Sequence, residues 1–107
     1  MDEMVICAEE LLIRTVVTRL KGHPGVGIWN LANEPDLVYL LTTSPSASSL
    51  WVTRLSNLIR SIDPVTPITC GLHAPSLRED VGFHVDEVFD SLDCAVMHGY
   101  PMYAKGI

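Results

Sequence analysis

Two short runs hold the residues that could do chemistry. One is Asn33-Glu34-Pro35-Asp36, an amide and a carboxylate followed by a proline. The other is His98-Gly99-Tyr100-Pro101, an imidazole and a phenol one residue apart. A carboxylate flanked by an amide is a reasonable proton donor. If Glu34 is buried among apolar and aromatic walls, its pKa is raised, because burial disfavours the charged form. A second carboxylate nearby raises it further, which is what a general acid working near neutral pH requires. Each residue also has a plainer reading. Glu34 can be a solvated carboxylate in a turn, and Asn33 a turn former or helix cap. His98 can be a satisfied buried histidine, and Tyr100 an aromatic wedge beside Pro101. His73 is a weaker candidate that ends an apolar run.

The elements that must position these residues alternate along the chain. Residues 9 to 21 read as an amphipathic helix with Leu12, Ile13, Val16, Val17 and Leu20 on one face. Gly22 and Pro24 stop it. Val26 to Leu31 is an apolar run suited to a buried strand, and it leads into the Asn-Glu-Pro-Asp turn. A second helix starts near Ser46 or Ser48, with Trp51, Leu55, Leu58, Ile59 and Ile62 as its apolar face, and ends at Asp63-Pro64. Pro67 to Leu72 is a second strand, followed by a loop over residues 74 to 83. A short helix over Asp86 to Leu92 precedes a third strand, Asp93 to Met97. This alternation predicts an α/β fold with about three parallel strands and intervening helices. Two strands then end at the candidate residues, and the middle one at His73. In parallel α/β folds, functional groups gather at such carboxyl ends.

The run Gly27-Ile28-Trp29-Asn30-Leu31-Ala32-Asn33-Glu34-Pro35 resembles the fourth strand of clan A glycoside hydrolases. It is most similar to the cellulase and mannanase group, glycoside hydrolase family 5. Val96-Met97-His98-Gly99-Tyr100-Pro101 resembles the sixth strand of that clan, and Gly22-His23-Pro24 fits the turn before the fourth. The resemblance implies a fragment of a TIM (β/α)8 barrel, with residues 1 to 107 as a partial catalytic domain. It implies a retaining glycosidase acting on a β-linked glycan, with no cofactor or metal. Glu34 would be the acid/base, and Asn33 would hold the sugar 2-hydroxyl. His98 would contact the acid/base or the sugar. Tyr100 would hydrogen-bond the nucleophilic carboxylate. Such barrels run to about 250 residues, and the nucleophilic Glu belongs to a seventh strand, beyond Ile107. Retaining chemistry needs two carboxylates about 5–5.5 Å apart. No other acid in the chain is expected at a strand end. A non-catalytic sugar-binding remnant of the same fold is therefore the alternative.

Composition narrows the partners. The 107 residues are 48% hydrophobic and 19% charged, with net charge −6, a globular profile rather than a disordered one. The seven basic residues are scattered, which argues against nucleic acid as a partner. No apolar stretch approaches the roughly 20 residues of a membrane span. Met1-Asp2-Glu3 lacks the basic and apolar regions of a signal peptide. The three cysteines have apolar neighbours and are expected as buried thiols. The four histidines show no paired spacing for a metal. Two open sheet edges and an uncovered apolar face predict marginal stability or self-association of these residues alone.

Overall fold

A computed structural model describes residues 2–39, 45–74 and 84–100. In chain order they form α1 (Glu3–Leu20), β1 (Trp29–Asn33), α2 (Pro35–Tyr39), α3 (Pro45–Ile62), β2 (Ile68–His73), α4 (Val85–Phe89) and β3 (Cys94–His98). The strands form one three-stranded sheet in the order β1-β2-β3, and both pairings are parallel. The architecture is a small α/β domain with helices between parallel strands. The loop expected over 74 to 83 lies outside the described residues except for Ala74, which is buried.

β2 organises the core because it is the central strand. Ile68, Cys70 and Leu72 alternate onto one of its faces and are fully buried. Cys70 and Leu72 meet Val52 of α3 and Val88 of α4. Ile68 meets Val17 of α1 and Ile59 of α3. The other face of β2 carries Thr69, Gly71 and His73. Thr69 Oγ1 donates to the Cys94 carbonyl at 2.7 Å and ties β2 to β3. The Asp93 carboxylate accepts from Ile68 N at 2.9 Å and from Arg60 at 3.1 Å, fixing where β3 begins.

α1 starts earlier than its apolar periodicity suggested, and only Ile13 and Val17 of the expected face dock. Asp2 caps it, with Oδ1 accepting from Met4 N at 2.8 Å. Ile6 and Val17 are buried and Ile13 packs beside them. Leu12, Val16 and Leu20 stand exposed, Leu12 at 64%. Polar contacts with α3 select the docked face. Trp51 Nε1 donates to Glu9 at 2.9 Å, and Arg54 pairs with Glu10 at 2.6 Å and Glu3 at 3.1 Å.

β1 lies further along the chain than the run from Val26 to Leu31. Val26 N bonds back to the His23 carbonyl in a turn, and Gly27 and Ile28 are exposed. Ladder bonding begins where Trp29 N meets the Pro67 carbonyl at 2.9 Å. α3 starts at Pro45, just ahead of the two serines proposed as its cap. It ends where Asp63 folds back, its Oδ1 accepting from Val65 N at 3.2 Å and Thr66 N at 3.1 Å. Trp29 is tied into the core by an Nε1 bond to Asp63 Oδ2 at 2.9 Å. Of the cysteines only Cys70 is buried, and Cys7 and Cys94 are exposed. Ile6, beside Cys7, turns inward in place of the thiol.

Candidate active site at the strand ends

The end of β1 is irregular, and the irregularity aims Glu34. Asn30 pairs with Thr69, but the next pair is Asn33 with Gly71. β1 thus spends one residue more than β2 over that interval, which is a bulge. Leu31 and Ala32 both lean on the core as a result. Asn30 Oδ1 accepts from Gly71 N at 3.2 Å. Glu34 N donates to the Gly71 carbonyl at 2.7 Å. Glu34 has a φ of 49°, the one positive value at a non-glycine among the described residues. This left-handed step takes the chain off the sheet.

Pro35 then opens α2 at its first helical position, where its missing N–H costs nothing. The sequence places Pro35 in a turn and does not signal this helix. Asp36, next in line, is fully buried, and its Oδ2 accepts from His73 N at 3.0 Å. Asp36 therefore joins the turn after β1 to the end of β2. A carboxylate in the first turn of a helix is the signal that could have found it.

Three of the four candidates meet here. His98, the last residue of β3, lies opposite His73 in the β2–β3 register. Its Nδ1 is 2.9 Å from Glu34 Oε1, and the two side chains are 24% and 13% exposed. Tyr100 donates its hydroxyl to the same carboxylate and stands beside His73, with ring centroids 5.9 Å apart. Among the described residues, the carboxylate it meets is Glu34. Asn33 ends β1 with its side chain exposed. Asp86 and Glu87 lie in the first turn of α4 and Asp90 is its C-cap; Glu79 and Asp80 lie outside the described residues. Among the described residues no three His, Cys, Asp or Glu side chains gather as a metal cage.

The electrostatics reverse the expected sign. The hydrogen bond from His98 holds the Glu34 carboxyl below the usual carboxylate range. Burial pushes it up, but the Tyr100 hydroxyl and the two imidazoles add to the downward pull. The expected upward shift required apolar walls, whereas the walls here are donors. An ionised carboxylate only accepts, so His98 Nδ1 carries the proton between them. Tyr100 shows the converse effect: its phenol is raised because it donates to a negative partner. As built, the cluster is a fixed negative charge with two oriented donors, suited to gripping hydroxyl groups. No family model matches the chain. No helix among the described residues is long and apolar enough to cross a membrane.

Proposed function

We propose that this chain is part of a retaining glycoside hydrolase with a (β/α)8 barrel, most like glycoside hydrolase family 5, acting on a β-linked glycan. Glu34 is the general acid/base: it protonates the leaving oxygen, then takes a proton from the water that releases the covalent glycosyl intermediate. Asn33 holds the sugar 2-hydroxyl, and His98 and Tyr100 orient the carboxylate. The nucleophilic carboxylate comes from sequence outside these 107 residues. The observation that carries this reading is the 2.9 Å contact between Glu34, just past β1, and His98, at the end of β3. A carboxylate at a strand end, met by a donor from two strands away, is a constellation the resemblance requires. A nucleophile ionised about 5–5.5 Å away would repel the Glu34 charge and raise its pKa into the working range.

The lowered Glu34 pKa favours one competing reading. In it the cluster binds saccharide without turning it over, and the ionised carboxylate accepts from sugar hydroxyls. One experiment separates the two. The longest reading frame containing this chain is expressed and assayed on aryl β-glycosides and on β-glucan and β-mannan. Glycosidase chemistry predicts turnover that falls about 10²–10⁴-fold in Glu34→Gln, the usual worth of a general acid/base. Saccharide binding with no turnover in the parent supports the remnant. Turnover unchanged in Glu34→Gln sinks the assignment of Glu34.

A further inference from the structure

We propose that Gly71 is a positioning residue for Glu34: the missing side chain on the central strand lets the His98 ring lie across β2 and grip the carboxylate. This deepens the proposed role of Glu34 and rests on it for its bearing on catalysis. The geometry itself does not depend on any activity.

Glu34 and His98 arise from strands that do not touch. β2 lies between them, so the gap is two strand spacings, about 9–10 Å of backbone. A side chain that closes it must pass directly over the β2 main chain. His98 does so by leaning back from its register partner His73 onto Gly71. A Cβ on residue 71 would stand 2.6 Å from His98 Nε2 and 2.8 Å from Cε1, closer than real Cβ contacts come. The other neighbour, the Ala32 carbonyl at 3.7 Å, would be in ordinary contact.

Two further facts isolate the ring as the reason for glycine. Gly71 has no positive φ, so the backbone conformation does not demand it. The strand also cannot retreat from an added methyl. Its N–H is bound to Asn30 Oδ1 at 3.2 Å and its carbonyl to Glu34 N at 2.7 Å. The movable partner is the imidazole. A side chain at 71 therefore displaces the ring and breaks the 2.9 Å contact while the ladder stays in place. A glycine inside a buried strand gives up packing and chain entropy, and the contact it permits is the return.

The test reads the Glu34 carboxyl directly, by carbon-13 NMR titration of the chain, alongside Gly71→Ala, His98→Ala and the double variant. The expected result is that Gly71→Ala moves the Glu34 titration upward, as His98→Ala does, and adds nothing in the His98→Ala background. An unmoved titration in Gly71→Ala overturns the proposal. So does a Gly71→Ala shift of equal size with the imidazole already removed. Should Gly71→Ala fail to fold, a folded double variant supports the proposal, because deleting the ring relieves the clash. A double variant that also fails to fold assigns Gly71 to the strand alone and overturns it. Absence of glycoside turnover with these titrations intact would remove the glycosidase reading and leave the role of Gly71 standing.

Discussion

Leu72 and Met97 face each other in the β2–β3 register, yet one is fully buried and the other 48% exposed. Leu72 is enclosed with Cys70, Val52 and Val88 between sheet and helices. Truncation to alanine removes the transfer energy of the lost carbons and leaves a cavity that rigid neighbours on three elements cannot fill. Such changes cost about 2–5 kcal/mol, and about 3 kcal/mol is expected here. With a urea slope of about 1.5 kcal/mol per molar for a domain of this size, the midpoint falls by about 2 M. Met97→Ala encloses no cavity and loses only part of its apolar contact, so about 0.5–1 kcal/mol is expected. The assay is urea unfolding followed by circular dichroism and tryptophan fluorescence, at two protein concentrations. Equal costs for the two variants would refute the reasoning. A large, concentration-dependent Met97 penalty would mean that a second copy covers β3 on the face it shares with Leu72. A Leu72 penalty under about 1 kcal/mol would mean that the helix layer is not packed on the sheet.

Asp63 predicts a pH dependence. Thr66 and then Trp29 bond its carboxylate and draw its pKa from the ordinary 3.8 to about 2. A depressed carboxyl stabilises the fold above its unfolded pKa, and that contribution is lost as pH falls from about 4 through about 2. The urea midpoint should decline over that window, and Asp63→Asn should flatten the decline. The thiols give a second check. Cys7 and Cys94 should react with a thiol reagent in the native chain, and Cys70 only on unfolding. Cys70 is buried and its thiol is pushed up to about 11, so the reactive thiolate is scarce. Three equally fast thiols would show that β2 opens readily.

What the sequence made legible was burial rather than contact. β2 could be read almost to the residue because a strand buried by helices is a continuous apolar run. The parallel order followed from alternation of elements. β1 was misplaced because Val26 and Ile28 are as apolar as Leu31 but have no ladder partner, and the Pro67 carbonyl decides where pairing starts. On α1 the periodicity pointed to one apolar stripe, of which only Ile13 and Val17 dock. Which side turns inward rests on Trp51 and Arg54, more than forty residues away. The candidate residues Glu34 and His98 were both visible by type and placement. That they touch depends on a register spanning 64 residues, and the sign of the Glu34 shift depends on that touch. Gly71 lies inside the run read as the second strand, and a lone glycine in an apolar run is a known mark of close approach.

The left-handed step at Glu34 divides the amino-acid alphabet between two adjacent positions. At a φ of 49° the backbone accepts Gly, Asn and Asp at little cost and rejects Val, Ile and Thr, whose branched carbons collide with the main chain. One residue earlier, Asn33 sits in the strand, where those branched residues are the favoured ones. Substitution at position 34 is thus channelled toward Gly, Asn and Asp by the backbone alone. A descendant that had lost Glu34 would most readily carry Asn, Asp or Gly there, and the turn would survive the change.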